Sequence, residues 1–167
     1  MENTLVLENE FDNEVLISED VGSLNHSKLQ ARITTALNVA YGDVYEALTE
    51  ISLDLPTGGG NPEPDVAVFP IIEDDWMNDV VKISQLPILA IEILSPKQLL
   101  TDVTDKILKT YFKAGIKSAW LVIPTTKTIH VIHPPQKVKT FTHGRVIDTV
   151  SGIELDMDAI FNLRKKK

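Results

Sequence analysis

The chain has 167 residues and no cysteine, which excludes disulfides and a thiolate metal site. Hydrophobic residues make up 43% and charged residues 24% of the chain, enough for a buried core and a hydrated surface. No apolar run is long enough to span a bilayer, and the first residues lack the basic region of a secretory signal. We therefore expect one cytoplasmic domain over residues 1–167.

The net charge of −8 is unfavourable for binding a nucleic acid, whose backbone is also negatively charged. The basic residues are nevertheless clustered in the second half of the chain. One segment contains Lys97, Lys106, Lys109, Lys113 and Lys117, and the chain ends in Arg164-Lys165-Lys166-Lys167. A local positive face is one interpretation of this pattern, and a solvated helix face with a frayed tail is the other.

The first part of the chain predicts strands around one long helix. Short apolar runs at residues 4–7 and 14–17 predict edge strands. Apolar residues at helical spacing predict a helix over residues 25–41, with Ser23 or Asn25 as its N-cap and Gly42 as its end. Residues 43–55 then predict an extended segment.

The middle of the chain predicts two buried strands separated by polar connections. Glycines and prolines predict a turn at residues 56–64, which lacks the following helix of a phosphate loop. The first strand covers residues 65–69 and the second residues 88–94. Between them lies an acidic connector, a short helix or a surface loop, in which Trp76 and Met77 are predicted to be apolar anchors. Its acids lack the spacing of a calcium loop.

The second half predicts a helix and a group of strands. The helix covers residues 97–114, with an apolar stripe that includes Tyr111, and it is followed by a buried strand at residues 118–123. Further strands are predicted at residues 128–132, 138–141 and 146–150, and a final helix at 156–163. The central order is helix, strand, strand, strand, helix, strand. This order predicts a mixed α/β fold with one central sheet and helices on its faces.

Two carboxylates occupy positions where a buried sheet disfavours charge. Asp65 stands at the start of one central strand and Glu92 lies inside the next, so each requires a partner. Mg²⁺ or Mn²⁺ would be a suitable partner, because both prefer oxygen ligands, and the backbone carbonyl of Ile93 could supply another oxygen. Two acids with a lysine of the following helix would make a metal-dependent phosphodiesterase site. The lysine would orient the attacking water or neutralise charge that develops on phosphorus. The alternative is structural: Asp65 caps a turn, and Glu92 pairs with Lys106 without a metal.

Several short motifs occur in a defined order. They are Pro64-Asp65-Val66-Ala67-Val68, Ile91-Glu92-Ile93-Leu94-Ser95-Pro96, Asp105-Lys106 before Tyr111-Phe112-Lys113-Ala114-Gly115, Trp120-Leu121-Val122-Ile123-Pro124, Gly152-Ile153-Glu154-Leu155-Asp156 and Ile160-Phe161. Over residues 25–162 the chain thereby resembles the putative restriction endonuclease family of the PD-(D/E)XK nuclease superfamily. The resemblance implies a restriction-endonuclease-like αβββαβ core with a central mixed sheet, flanking helices and extra β-hairpins.

The resemblance also implies a site and a reaction. Asp65 and Glu92 would bind Mg²⁺ or Mn²⁺, DNA would be the substrate, and the product would carry a 5′-phosphate. It further suggests a homodimer, with the hairpin region at residues 128–141 as a possible interface.

One departure from the superfamily pattern concerns the lysine. The usual position, two residues after the second acid, is Leu94 here. The resemblance moves this role to Lys106 on the following helix, whereas Lys97 and Lys109 remain alternatives. Asp102 lies one helical turn before Lys106 and is expected to pair with it.

Two further residues are candidates for the site. The family often has a histidine early in the first helix, and His26 matches it, so the resemblance predicts contact with substrate or with an ordered water. Without the resemblance, His26 would be an ordinary exposed residue near a helix cap. Glu46 is a further candidate acid.

Two functions are consistent with these features. The first is a metal-dependent endonuclease that hydrolyses DNA. The second is a binding module for protein or nucleic acid that keeps the nuclease fold without the chemistry, favoured by the net charge of −8 and by Leu94.

Overall fold

The computed structural model describes residues 22–57 and 59–162. The strands predicted at residues 4–7 and 14–17, and the basic residues 164–167, lie outside the described residues. Within the described ranges, no helix has both the length and the apolar character needed to cross a membrane.

The first helix, α1, spans Leu24–Tyr41. Ser23 is its N-cap, because the Ser23 side chain accepts a hydrogen bond from the amide of His26 at 3.3 Å. The helix ends at Gly42, whose amide donates to the carbonyl of Asn38. The predicted helix is therefore present and starts one residue earlier than expected.

Six strands form the central sheet in the order β1-β2-β3-β4-β5-β6. They are β1 (Tyr45–Thr49), β2 (Val66–Pro70), β3 (Leu89–Ile93), β4 (Ala119–Ile123), β5 (Thr128–His133) and β6 (Lys137–Phe141). The β3–β4 pair is parallel and the other neighbours are antiparallel. The parallel pair requires a crossover, which the second helical element provides.

The second helical element has three parts, α2 (Leu100–Asp105), a π-helical segment (Lys106–Tyr111) and α3 (Phe112–Ala114). It starts three residues after the predicted position and ends at Gly115, whose φ of 107° is favourable for glycine alone. The order α, β, β, β, α, β confirms the predicted restriction-endonuclease-like core. The π-helical segment was not predicted.

Alternating side chains of the central strands form two separate cores, one on each face of the sheet. Val66, Val68 and Ile91 pack with Leu29 and Ile33 of α1 on one face. The other face packs against the second helical element through a cluster that includes Ala67, Phe69, Ala90, Val103, Ile107, Tyr111 and Leu121. Because Glu92 alternates with Ile91, its side chain belongs to this second face, beside the π-helical segment.

The extended segment predicted at residues 43–55 is shorter than expected. Strand β1 ends at Thr49 because Glu50 has a φ of 53°, which breaks the extended backbone. Beyond it, Leu53 makes only an isolated bridge with Ile83.

The acidic connector contains neither helix nor strand between Ile71 and Lys82. Trp76 is 89% exposed and Met77 is 90% exposed, so the prediction that they are apolar anchors is wrong. The connector is a surface loop, which was one of the two predicted alternatives.

The end of the described chain contains a small second sheet and a short helix. Strands β7 (Arg145–Ile147) and β8 (Glu154–Asp156) pair antiparallel, and α4 (Met157–Phe161) follows. Strand β7 is shorter than predicted, and β8 was not predicted. The short helix is held to α1, because the guanidinium of Arg32 donates to the carbonyl of Ile160 at 3.1 Å.

Candidate active site

The sheet places the two predicted acids side by side. Strands β2 and β3 are antiparallel, with Val66 opposite Ile91. Continuing this register by one residue sets Asp65 opposite Glu92, and residues in opposing positions project from the same face. The two carboxylates thus converge at the end of the sheet where β2 begins.

Asp65 is held by groups from helix α1 and strand β3. Its Oδ2 accepts a hydrogen bond from the amide of Ile93 at 2.6 Å, and its Oδ1 accepts one from Nε2 of His26 at 2.9 Å. Its backbone carbonyl accepts a third from the side chain of Gln30 at 2.9 Å. These bonds leave Asp65 little freedom to rotate.

His26 lies in the site and is not exposed. Only 7% of its surface is accessible, and it is bonded to Asp65. The hydrogen bond to Asp65 raises the pKa of His26 against the opposing effect of burial. The structure places His26 against Asp65, and the predicted contact with substrate or an ordered water stays a prediction.

Glu92 is a buried carboxylate with two donors on one oxygen. It is 2% exposed, and its Oε1 lies 2.9 Å from Nζ of Lys106. The same oxygen accepts a hydrogen bond from the hydroxyl of Tyr111. Burial raises the pKa of Glu92, and the opposing effect of the Lys106 charge is smaller. Charge on this carboxylate is therefore costly, and a further cation would stabilise it.

Of the three candidate lysines, Lys106 is the one that contacts Glu92. Its ammonium also donates to the carbonyl of Glu63 at 3.1 Å, in the loop before β2. Lys109 instead pairs with Asp105 at 2.7 Å, and its side chain is 72% exposed. The side chain of Lys97 is on the surface.

The same contacts decide the prediction for Asp102. Asp102 is exposed, and the predicted pairing with Lys106 is wrong because the ammonium lies at Glu92 and Glu63. Leu94, at the usual lysine position, packs against the core on the second face of the sheet, which the second helical element covers.

A cleft of about 380 Å³ opens over these residues. It is lined by Gly22, His26, Glu50, Asn61, Glu63, Asp65, Glu92, Ser95, Gln98 and Lys106. Glu46 lies elsewhere on β1, where its Oε2 accepts a hydrogen bond from the amide of Ile72 at 3.4 Å.

Two residues of the site were missed in the sequence. Glu50 lines the cleft, and its Oε1 accepts a hydrogen bond from Gln30 at 3.2 Å. Tyr111 was interpreted only as part of the apolar stripe of the helix. A tyrosine at a buried helical position is itself a signal, because its hydroxyl requires a partner, but no sequence signal selects Glu50 over Glu46.

The donor set fits a hard divalent cation bound mainly through water and substrate. Among the described residues, no group of three or more histidines and acids is arranged to hold a metal ion. Mg²⁺ commonly uses only one or two carboxylates and keeps several waters. Asp65 and Glu92 provide such a pair at the cleft, and a bound cation would offset the cost of burying the Glu92 carboxylate, which is 2% exposed. The amide of Ile93 contacts Asp65, whereas the predicted role of its carbonyl stays a prediction.

The αβββαβ core, with two acids and a lysine at one end of its sheet, defines the restriction-endonuclease-like class of nuclease folds. The comparison with family models is specific: residues 6–159 match the Uma2 model, described as a putative restriction endonuclease. The chain belongs to the Uma2 family. No curated protein sequence is detectably similar to it.

Solved structures that are similar to the chain include the following two. One is the crystal structure of a putative nuclease belonging to DUF820 from Anabaena variabilis ATCC 29413, with a TM-score of 0.68 and 25% identity over 84% of this chain and 82% of that chain. The other is DrdV in a cryo-EM structure of its complex with DNA, with a TM-score of 0.41 and 14% identity over 69% of this chain and 12% of that chain.

Proposed function

We propose that this protein is a metal-dependent endonuclease that hydrolyses phosphodiester bonds of DNA. The observation that carries the proposal is the convergence of Asp65, Glu92 and Lys106 in one cleft, with Nζ of Lys106 2.9 Å from Glu92. Membership of a family described as "putative restriction endonuclease" supports the reaction class.

Each residue has a distinct role in this proposal. Mg²⁺ or Mn²⁺ held by Asp65 and Glu92 would supply a Lewis acid that polarises the scissile phosphate. Lys106 neutralises charge that develops on the phosphate oxygens during in-line attack by water. The water oxygen forms a bond to phosphorus, the bond to the 3′ oxygen breaks, and that oxygen takes a proton, which leaves a 5′-phosphate. His26 holds Asp65 in place through Oδ1.

DNA would approach the cleft along the helical element that contains Lys106. The lysines at positions 97, 113 and 117 are exposed on or beside this element, so they offer phosphate contacts despite the net charge of −8. The proposal includes a homodimer, because cutting two strands takes two sites. Strand β6 is an outer strand of the sheet and supplies a suitable edge, and sedimentation velocity would detect the dimer.

Cleavage of supercoiled plasmid with Mg²⁺ or Mn²⁺ tests the reaction. We expect the wild-type protein to nick or linearise the plasmid and EDTA to stop it. An Asp65→Asn variant keeps the size of the side chain but loses one anionic charge, so we expect at least a ~10²-fold lower rate. Equal cleavage by both proteins would exclude the proposed site.

The second candidate is a nuclease-fold module that binds a partner without cleaving it, favoured by the net charge of −8. The same preparations separate the two candidates. Binding of Mn²⁺ by the wild-type protein, seen as a rise in melting temperature that is absent in Asp65→Asn, supports the nuclease. No rise at millimolar Mn²⁺, together with no cleavage, supports the binding module.

The lysine assignment is tested by two matched variants. We expect Lys106→Met to lower the cleavage rate by ~10² to 10³-fold, because a preorganised charge at the transition state is lost. Lys109→Met removes a lysine of the same helical element whose charge is paired with Asp105 at the surface, and we expect a change of less than about threefold. Plasmid cleavage measures both, after melting curves show that each variant is folded. If Lys109→Met lost more of the cleavage rate than Lys106→Met, the catalytic role would belong to Lys109.

A further inference from the structure

The π-helical segment Lys106–Tyr111 has a direct consequence for the site. The amide of Phe112 donates to the carbonyl of Ile107, five residues earlier, which is the hydrogen-bond pattern of a π-helix. In an α-helix, residues five positions apart point in directions about 140° apart. In a π-helical turn the hydrogen bond joins residues five apart, so they fall on nearly the same side. Lys106 and Tyr111, the first and last residues of the segment, therefore face Glu92 together.

Both side chains bind the same oxygen of Glu92. The ammonium of Lys106 lies 2.9 Å from Oε1, and the hydroxyl of Tyr111 donates to that oxygen. No hydrogen bond from the described residues reaches Oε2. The ammonium also lies 5.7 Å from the centre of the Tyr111 ring, within the range of a cation–π contact. Lysine, tyrosine and glutamate thus form one contact group.

The two donors differ in how freely they can move. Tyr111 is completely buried, whereas the side chain of Lys106 is 31% exposed and lies at the cleft. Lys106 can therefore turn towards a substrate phosphate, but the Tyr111 hydroxyl cannot. If Lys106 were the only donor, its departure would leave a buried carboxylate oxygen without a partner, which is costly.

We propose that Tyr111 is a positioning residue for Glu92: its hydroxyl holds Oε1 while Lys106 moves to the substrate, so that Glu92 keeps its orientation towards the bound cation. The inference rests on the proposed function. The π-helical segment is the device that allows both residues to share one oxygen.

The Tyr111→Phe variant tests this role because it removes only the hydroxyl. We expect Mn²⁺ binding, measured by calorimetry, to weaken by ~10-fold or more, in the range found when a hydrogen-bond partner of a metal ligand is removed. We expect kcat for DNA cleavage to fall by a similar factor with KM changed less than about twofold.

Tyr41→Phe is the matched control. Tyr41 likewise holds a glutamate through its hydroxyl, which donates to the carbonyl of Glu154 at 3.1 Å and accepts from the amide of Glu154 at 2.8 Å, but it lies outside the cleft. We expect this variant to melt at a lower temperature than the wild-type protein and to bind Mn²⁺ within about twofold of it.

The outcomes separate the inference from the proposed function. A wild-type protein that neither binds Mn²⁺ nor cleaves DNA overturns the proposed function and, with it, the inference. A wild-type protein that binds Mn²⁺, with Tyr111→Phe equal to it in Mn²⁺ affinity and kcat, overturns the inference alone, even if Tyr111→Phe melts at a lower temperature. A weakened Mn²⁺ affinity in Tyr111→Phe, with none in Tyr41→Phe, supports the positioning role.

Discussion

Replacing Glu92 by glutamine is expected to abolish DNA cleavage without lowering the melting temperature of the metal-free protein. Cleavage should fall by at least ~10³-fold, because a neutral amide is a poor ligand for Mg²⁺ and the Lewis acid contributes several kcal/mol to transition-state stabilisation. Glu92 is 2% exposed, and most substitutions at such buried positions destabilise a protein. Loss of cleavage with an unchanged melting temperature would therefore distinguish a metal ligand from a residue that only stabilises the fold.

The expected stability of Glu92→Gln follows from the environment of the side chain. Burial raises the pKa of Glu92, which means that its charged form costs folding free energy. Glutamine has nearly the same shape, and its Oε1 can still accept the hydrogen bond from Tyr111. Lys106 loses its counterion but keeps the carbonyl of Glu63 and access to water.

Plasmid cleavage and thermal melting in EDTA measure these two effects. Glu46→Gln is the matched control, since Glu46 is on the same sheet but does not line the cleft, and we expect less than a threefold change in rate. Cleavage by Glu92→Gln at more than a tenth of the wild-type rate would exclude Glu92 as a metal ligand.

Replacing Asp148 by alanine is expected to cause a large loss of stability. This carboxylate is 1% exposed and lies between β7 and β8. It accepts hydrogen bonds from Ser118, from Nε1 of Trp120 at 3.0 Å, from Nε2 of His133 at 2.8 Å, and from the amides of Val150 at 3.0 Å and Ser151 at 3.2 Å. The donors come from β4 and its approach, from β5 and from the turn before β8, so Asp148 joins the small sheet to the central one.

The size of this loss follows from the donors left behind. Alanine leaves the buried Ser118 hydroxyl and Trp120 indole without acceptors, so we expect a loss of about 3–5 kcal/mol in the free energy of unfolding. Urea unfolding at pH 7 measures it. Asp105→Ala is the control, because it removes only the exposed pair with Lys109, and we expect a change below about 0.5 kcal/mol. A loss under 1 kcal/mol (about the value of one ordinary hydrogen bond) for Asp148→Ala would contradict this account.

The contribution of Asp148 to the free energy of unfolding should decrease as the pH falls. Burial by itself would raise the pKa of Asp148, but the hydrogen bonds from Ser118, Ser151, His133 and Trp120 outweigh it and lower the pKa from 3.8 to about 2. The ionised form is therefore favoured in the folded protein, and its contribution of about 2 kcal/mol is present above pH 3.8. This contribution is lost as the pH falls from 3.8 towards 2, so the difference between wild-type and Asp148→Ala should narrow over that interval.

The two acids could be predicted because their signal is local. Pro64-Asp65 opens an apolar strand, and Glu92 interrupts another, so each carboxylate is conspicuous in the one-dimensional pattern. Hydrophobic periodicity is also local, and the central order of helices and strands could therefore be predicted. The local pattern gave a wrong prediction for Trp76 and Met77, which are exposed. Apolar character does not reveal whether a loop residue has a surface to pack against.

The residues that complete the site depend on how separate elements meet. The family resemblance favoured Lys106, but the local pattern left Lys97 and Lys109 as alternatives. The contact of Lys106 with Glu92 depends on how the helical element lies across the second face of the sheet. The acid that reaches the cleft is Glu50, which follows directly after β1. It is brought beside Asp65 because Thr49 at the end of β1 pairs with Val66 at the start of β2. Periodicity within one strand contains no information about the register with its neighbour.

By itself, the sequence determined the αβββαβ order and the positions of Asp65 and Glu92, because helix and strand periods and a charge inside an apolar run are properties of contiguous residues. The tertiary structure alone decided that Lys106 and Tyr111 share one oxygen of Glu92. That arrangement depends on a π-helical turn and on its docking against β3, and a pattern of apolar residues specifies neither the extra residue in the turn nor the carboxylate that it meets.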